Sequence, residues 1–491
     1  MRNTTWKIKT SNQNKSIMLN NFPIDQDILK ILHSRGIVSK KDIINFLDPS
    51  LDNIQPSSLL SDMKKSVDLI IECINNGKNI WIYGDYDVDG ITSTSILYLA
   101  LKDLGAEFLN YYIPIRDEGY GLNNTALKTI KNSGADLLIT VDCGITSFKE
   151  IEFAKSIGLD VIITDHHDIQ SDKIPNAYSI INPKRTDNAF TFNALAGVGV
   201  AFMLILNLYE KLKTKEEAYV YLDLVAIGTI ADIVPLVKEN RIFAKHGLEK
   251  LLYSENKGLR FLITKLFETA KLEFTTYDVG FVIAPVFNAA GRLKDAKMVV
   301  KLLTSDNSRE IEIITKELIN SNFERKELQN NILNMIEKNI EEKDINKDFV
   351  IVDYSPEYHH GVIGIAASKI VDTYYKPVII MEVKEDEGVA LGSCRSIESF
   401  NILEALQSMP ELFVRFGGHA GAAGFTIPIK NIGLFIFLTP FVSPYWFLIL
   451  YSVPPKDSCT LWNLSWISSS KSKSFSHKSI IILSLCWSLI I

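Results

Sequence analysis

The sequence predicts an α/β protein whose two domains are joined by a long helix, and three observations lead to this prediction. From about residue 79, short apolar segments alternate with amphipathic ones, as in "NIWIYGDYDVDG" followed by "ITSTSILYLALKDLGA". This alternation is typical of a mostly parallel sheet with crossover helices. A second α/β unit opens near residue 348, and the segment before it has the composition and length of one long amphipathic helix.

These patterns divide the chain into five segments. We predict a helical lead-in over 1–75, a first α/β domain over 76–305, a connecting helix over 306–345, a second, smaller α/β domain over 346–430 and an apolar tail over 431–491.

The composition indicates a folded protein of two or three domains. The chain has 491 residues, of which 47% are apolar and 22% charged, with a net charge of −6. A negative total removes bulk basicity as an argument for nucleic-acid binding, although a local basic groove is compatible with it. The five cysteines form no CxxC pair, and the polar N-terminus "MRNTTWKIKTSNQNK" lacks the apolar region of a secretory signal. We therefore expect a cytoplasmic protein.

The stretch "YGDYDVDGIT" places Asp85, Asp87 and Asp89 at alternate positions directly after the first predicted strand. Three carboxylates so close together repel one another unless a cation lies among them. The pattern matches the first half of an EF-hand loop, but position twelve of such a loop is Ile96 here rather than glutamate, and a strand precedes it. We therefore exclude a calcium loop and predict a metal site at the end of a strand.

Further carboxylates and imidazoles follow two other predicted strands. Asp142 follows "DLLITV", the run "DHHD" (165–168) follows "DVIIT", and Asp232 interrupts the apolar run "GTIADIVPL". Because the carboxyl ends of parallel strands meet at one edge of a sheet, we expect these groups to converge. Asp and His without Cys favour Mn²⁺, with Mg²⁺ second. The set is large enough for two cations about 4 Å apart, an arrangement suited to the hydrolysis of phosphate esters.

Taken in order, "DYDVDG", "VDCG", "DHH" and "GTIADIVPL" resemble the four motifs of the DHH phosphoesterases. The segments "YHHGVIGIAASKI", "GSCRS" and "RFGGHAGAAGF" are similar to the associated DHHA1 domain. Longer segments such as "IPIRDEGYGL", "INPKR" and "LAGVGVAF" look most like the bacterial single-stranded-DNA-specific exonucleases of this superfamily. The resemblance runs from about residue 28 to about residue 428.

The resemblance implies a metal site in the cleft between the two domains and a role for each matching residue. The expected catalytic residues are Asp87, Asp89, Asp142, His166, His167 and Asp232. All of these except His167 are expected metal ligands, with Asp142 bridging two cations and Asp85 as a supporting ligand. His167 is expected to contact the phosphate. The expected substrate-binding residues, which would hold the 5′-terminal phosphate and nearby backbone, are Arg116, Arg292, Ser393, Arg395 and His419.

The C-terminal tail departs from the family pattern. The exonucleases that the chain resembles continue into an OB-type domain, which grips single strands with stacking aromatics and a basic groove, and nothing after residue 432 resembles one. No charged residue lies between Lys430 and Lys456. Three interpretations stay open: out-of-frame or otherwise non-native sequence, which we prefer because amphipathic periodicity stops abruptly, a membrane anchor, and an unusual insertion.

The resemblance implies a metal-dependent 5′→3′ exonuclease that degrades single-stranded DNA to 5′-mononucleotides in DNA repair and recombination. Its partners would be single-stranded DNA with a 5′ end, and a single-strand-binding protein and a helicase as suppliers of that DNA, with no obligate membrane partner. One alternative is a short-oligonucleotide or cyclic-dinucleotide phosphodiesterase built on the same two domains. Another is a non-catalytic scaffold, which would have no reason to retain the metal-binding residues.

Overall fold

The computed structural model describes residues 24–119, 121–169, 173–343 and 348–439. Two helices, α1 (Gln26–Ser34) and α2 (Lys40–Leu47), form the start of the described chain. They enclose a small apolar cluster of Leu29, Leu32 and Ile43. Asp25 and Ser39 cap the two helices by accepting hydrogen bonds from backbone N–H groups in the first turns. The rest of the predicted lead-in, 1–23, lies outside the described residues.

The first domain is built around a parallel sheet of five strands in the order β2-β1-β3-β4-β5. Helices cover both faces of this sheet, as expected for buried parallel strands. The strands are β1 (Ile80–Tyr83), β2 (Leu109–Tyr112), β3 (Leu137–Val141), β4 (Asp160–Thr164) and β5 (Ser179–Ile181). The helices of this domain are α3 (Met63–Asn75), α4 (Val88–Asp103), α5 (Asn124–Asn132), α6 (Phe148–Ser156), α7 (Gly197–Leu212), α8 (Leu222–Ala231), α9 (Lys238–Leu251), α10 (Lys257–Leu266), α11 (Ala284–Leu293) and α12 (Lys297–Thr304).

A single helix, α13 (Ser308–Glu342), connects the two domains. Its 35 residues correspond to about 50 Å at the α-helical rise. Ile311 and Leu318 near its N-terminus belong to the core of the first domain, whereas Ile332 and Ile340 near its C-terminus belong to a core of the second. The helix is therefore part of both hydrophobic cores rather than a solvated linker.

The second domain contains a mixed sheet in the order β6-β7-β8-β10-β9, in which only β6 and β7 are parallel. Its strands are β6 (Ile351–Ser355), β7 (Val378–Lys384), β8 (Val389–Arg395), β9 (Arg415–His419) and β10 (Ala422–Pro428), and its helices are α14 (His360–Tyr374), α15 (Ile402–Gln407) and α16 (Ile432–Leu438). The two α/β domains and the long helix between them confirm the predicted fold class.

Helix α16 extends the packed part of the second domain beyond residue 430, where we had placed its end. Phe435 is fully buried, and its ring lies 5.4 Å from that of Phe413 and 5.3 Å from that of Phe425. Most of the anomalous tail, 440–491, lies outside the described residues, so none of its interpretations is tested. No helix in the described parts of the chain has the length and apolarity needed to cross a bilayer.

We expect Phe435→Ala to lower the free energy of unfolding of the second domain by about 3–5 kcal/mol, because it removes a fully buried ring. Leu434→Ala, at a neighbouring partly exposed position, should cost about 1 kcal/mol or less. Urea unfolding followed by circular dichroism measures both. Equal effects of the two substitutions would contradict the packing of α16 described above.

Candidate metal centre

The first acidic stretch begins in the turn between β1 and α4. This is the position at the end of a strand that we expected. Asp87 is the N-cap of α4, and its side chain accepts a hydrogen bond of 3.0 Å from the backbone N–H of Gly90. Asp85 precedes it in the turn and is buried. The local fold thus directs consecutive acidic side chains to the carboxyl edge of the sheet.

Asp89, in the first turn of α4, is held by a second helix. Its carboxylate accepts hydrogen bonds from the backbone N–H of Gly197 at 2.6 Å and from that of Val198 at 2.8 Å, both in the first turn of α7. The N-terminal dipole of α7 stabilises this negative charge. The segment "LAGVGVAF" therefore orients a carboxylate that is distant in sequence.

Two further acids lie at sharp changes of chain direction. Asp142 follows β3 with a φ of 60°, and Asp232 follows α8 immediately before Ile233, whose φ is 59°. A left-handed conformation is strained for residues other than glycine and most of all for a β-branched one. Ile233 is 88% exposed, so packing does not compensate for this strain.

His166 lies among the carboxylates. Its Nε2 atom is 3.1 Å from Asp142 Oδ1, 3.7 Å from Asp232 Oδ2 and 3.9 Å from Asp89 Oδ2. Three groupings have ligand atoms within 4.8 Å of one another, and their members are Asp85, Asp87 and Asp142; Asp89, His166 and Asp232; and Asp142, His166 and His167. The structure therefore brings together all the residues predicted as metal ligands, and Asp142 is shared by two of the groupings.

Asp165 organises the two histidines, a role that sequence reasoning missed. Its carboxylate accepts hydrogen bonds from the backbone N–H groups of His166, His167 and Ile145 and contacts His167 Nδ1 at 2.7 Å. Its position directly before the two histidines was the available signal. Asp168, in contrast, is exposed, pairs with Lys184 at 2.8 Å and belongs to none of the three groupings.

Burial and mutual repulsion dominate the electrostatics of the carboxylates. Burial, followed by the charges of neighbouring carboxylates, raises the pKa of Asp89 and that of Asp142 well above the usual value. For the same reasons the pKa of Asp85 rises to about 8 and that of Asp232 to about 7. The cluster therefore holds protons tightly unless a cation replaces them.

The surroundings shift the pKa values of the two histidines in opposite directions. Burial, together with the charge of His167, lowers the pKa of His166 to about 4, which leaves a neutral imidazole suited to metal ligation. Burial opposes the charged form of His167 as well, but the hydrogen bond to Asp165 and its charge outweigh this and raise the pKa of His167.

The residues present fit divalent cations. Asp85 Oδ1 and Asp232 Oδ2 are buried without a hydrogen-bond partner among the described residues, which is costly for a carboxylate that binds nothing. Several carboxylates and one neutral imidazole form a donor set typical of Mn²⁺ or Mg²⁺ sites.

Beside the acids lies a group of arginines. Arg116 donates through Nε to the carbonyl oxygen of Gly291 at 3.2 Å and lies over the Tyr86 ring. Arg292 donates to the carbonyl oxygen of Gly361 at 2.9 Å. Among the described residues, no carboxylate lies within ion-pair distance of these two arginines or of Arg395.

Arg395 and Ser393 lie together against the first turns of α14. Arg395 Nη1 donates to Ser393 Oγ at 3.1 Å and to the carbonyl oxygen of Cys394 at 2.7 Å. A Cβ atom at Gly364 would lie 2.9 Å from both Ser393 Oγ and Arg395 Nη2, so glycine permits this close approach. His419 is exposed at the end of β9, and no hydrogen bond in the described structure joins it to the arginines.

Comparison with known proteins places the chain in a family. Residues 79–229 match the model of the DHH family, N-terminal domain, and residues 347–436 match that of the DHHA1 domain. The single-stranded-DNA-specific exonuclease RecJ of Salmonella typhimurium is 36% identical over 418 residues, which cover 81% of this chain and 71% of that protein. The chain belongs to the RecJ family. The resemblance noted in the sequence is thereby confirmed.

Other RecJ proteins are similar to this chain in sequence and in structure. RecJ of Bacillus subtilis is 38% identical over 87% of this chain, and the chain spans only 53% of that protein's length. A crystal structure of RecJ bound to manganese superposes with a TM-score of 0.69 and 34% identity, covering 80% of this chain and 96% of the other. RecJ of Thermus thermophilus in complex with Mn²⁺ gives a TM-score of 0.71 at 33% identity, covering 84% of this chain and 57% of the other.

The raised pKa values predict an unusual pH dependence of stability in this RecJ-family chain. Without cations, folded Asp85 and Asp232 retain protons that the unfolded chain releases near pH 4. The free energy of unfolding should therefore fall as pH rises from about 4 to about 8. In EDTA the melting temperature should decrease between about pH 5 and about pH 8, and Mn²⁺ should raise it more at the upper end of this range than at the lower. Asp232→Asn should make the decrease in melting temperature with pH less steep. An unchanged slope would contradict the raised pKa of Asp232.

The strain at Ile233 predicts that Ile233→Gly costs no stability. Relief of about 1–2 kcal/mol of left-handed strain offsets the flexibility that glycine adds to the unfolded chain. Ile313→Gly is the control, because Ile313 is also exposed but lies within α13, where glycine should cost about 1 kcal/mol. Thermal unfolding of both variants in EDTA measures the two effects. Equal losses of stability would show that Ile233 is not strained.

Proposed function

We propose that the chain is a metal-dependent exonuclease that degrades single-stranded DNA in the 5′→3′ direction to 5′-mononucleotides. The observation that carries the proposal is the arrangement of the carboxylate cluster beside arginines that have no acidic partner among the described residues. Arg116 lies over the ring of Tyr86, next to Asp85 and Asp87, and donates to the carbonyl oxygen of Gly291, next to Arg292, so it contacts both groups. A nucleic-acid strand would fit this arrangement with one phosphate at the arginines and the next at the cations that the carboxylates would hold.

The proposed role of the acidic cluster is to hold two divalent cations, with Mn²⁺ preferred and Mg²⁺ accepted. Bound cations of this kind activate water and neutralise charge that develops on a phosphate. The ligands would be Asp87, Asp89, Asp142, His166 and Asp232, with Asp85 in support. His167, whose pKa the hydrogen bond to Asp165 raises, would donate a hydrogen bond to a phosphate oxygen.

The proposed role of the arginine group is to bind the terminal 5′-phosphate. Arg116, Ser393 and Arg395 would hold its oxygens, because planar guanidinium groups suit bidentate phosphate binding. Arg292 would bind the adjoining backbone, and His419 would contact it from the hairpin of β9 and β10. With the terminal phosphate fixed beside the acids, the first internal phosphodiester is the bond presented for hydrolysis, and this supports the release of mononucleotides from the 5′ end.

The proposed setting is DNA repair and recombination in the cytoplasm. Cys73, Cys143 and Cys394 are free and buried, which supports a reducing compartment. The proposal that a single-strand-binding protein and a helicase deliver the DNA rests on the resemblance alone.

We expect the full chain with Mn²⁺ to shorten 3′-labelled single-stranded DNA progressively from its 5′ end. Asp142→Ala should lower the rate by more than about a hundredfold, because Asp142 belongs to two of the three groupings of candidate ligands and loss of a ligand costs more than loss of an outer-shell partner. Lys64→Ala, which removes an exposed ion pair with Asp68 on α3, is the control. The assay should include a 5′-hydroxyl substrate, a dinucleotide and a trinucleotide.

Hydrolysis of only the dinucleotide and trinucleotide would transfer the assignment to the short-oligonucleotide phosphodiesterases. Shortening from the 3′ end would contradict the proposed direction. A folded protein that cleaves none of these substrates would support the scaffold alternative.

A further inference from the structure

The connecting helix contributes a buried arginine that no sequence motif indicates. Arg325, in the middle of α13, is 8% exposed. Its Nε and Nη2 atoms donate to Asn322 Oδ1 at 3.2 and 3.0 Å, and Nη1 donates to Gln329 Oε1 at 2.9 Å. Both partners are neutral amides. Within the described residues Arg325 forms no ion pair.

This environment is unlike that of another buried arginine in the same chain. The side chain of Arg185 is 9% exposed and pairs with Asp62 at 2.7 Å and with Asp187 at 2.6 Å. Burial of a charge is costly unless an opposite charge accompanies it. The amides at Asn322 and Gln329 fix the orientation of the Arg325 guanidinium but do not neutralise it, so the described part of the protein retains an uncompensated positive charge here.

The charge of Arg325 acts on the arginine group. Helix α11, which carries Arg292, packs along α13. Burial, and then the charges of Arg116, Arg325 and Arg395, lower the pKa of Arg292 to about 10. Arg116 bonds to the residue before Arg292, and Arg292 and Arg395 both lie against the first turns of α14. Helix α13, which carries Arg325, packs on both α11 and α14, so the four guanidinium groups lie where the two domains meet. Arg325 is buried, and Arg292 and Arg395 are half-buried. Such a concentration of like charge is unfavourable in the free protein and becomes favourable when an anion binds.

We propose that Arg325 is a positioning residue for the 5′-terminal phosphate, a role that rests on the proposed function. Held by Asn322 and Gln329, it supplies a fixed positive charge behind Arg292 and strengthens the binding of a terminal phosphate, which carries more negative charge than an internal phosphodiester. The connecting helix then contributes to recognition of the DNA end as well as joining the domains.

The test is a binding measurement with the full chain in EDTA, where hydrolysis does not occur. Two oligothymidylates carry a 3′ fluorophore and differ only in a 5′-phosphate or a 5′-hydroxyl. We expect the wild-type protein to prefer the phosphorylated strand. Arg325→Gln should reduce that preference by about fivefold or more, at the lower end of couplings between sites, with little change in affinity for the 5′-hydroxyl strand. Arg325→Lys should retain most of the preference because it keeps the charge.

Thermal unfolding without DNA separates this role from a structural one. Arg325→Gln removes an uncompensated charge and should melt at or above the wild-type temperature. Arg185→Gln is the matched control: it leaves two carboxylates without their partner, should melt lower, and should keep the phosphate preference.

The inference is overturned if Arg325→Gln keeps the phosphate preference. It is also overturned if that variant melts lower and binds both strands equally weakly. Failure of the proposed function is recognised separately, because wild-type protein with Mn²⁺ would then leave single-stranded DNA intact whatever Arg325→Gln does in EDTA.

Discussion

The repulsion among buried carboxylates at the carboxyl edge of the first sheet is the constraint on which the rest of the structure depends. Asp85, Asp89 and Asp142 are buried close together, and the fold keeps them there with other parts of the chain. The first turn of α7 donates to Asp89, and strained backbone follows β3 and α8. The repulsion and the backbone strain are unfavourable in the cation-free protein, and a bound divalent cation would offset the repulsion.

The arginine group is the electrostatic counterpart of this acidic cluster. It is assembled from both domains and from the helix between them, with Arg292 on α11 donating to the first turns of α14. A site divided in this way requires the two domains to keep a fixed relation. The long helix provides it, because its two halves are buried in different cores.

Most of the metal centre could be predicted from the sequence, because parallel topology decides which strand ends meet. Asp142 and His166 are 24 positions apart in the sequence, yet consecutive strands of one sheet made their proximity predictable. The role of Asp165 was not predictable, since a carboxylate that orients a histidine has the same local pattern as one that binds a cation. Arg325 could not be predicted for another reason. It lies in a segment rich in Lys and Glu, where an arginine is usually solvent-exposed, and its burial depends on the packing of other helices on α13.

The participation of α13 in both cores also restricts how this chain can change in length. Each residue added to an α-helix turns everything beyond it by about 100° and advances it by about 1.5 Å. One insertion between Leu318 and Ile332 would therefore rotate the second domain away from the acids while leaving every side chain of the site intact. Over this interval the spacing of the helix is as much a part of the site as the residues that line it, and changes in length would have to be accommodated in the surface loops instead.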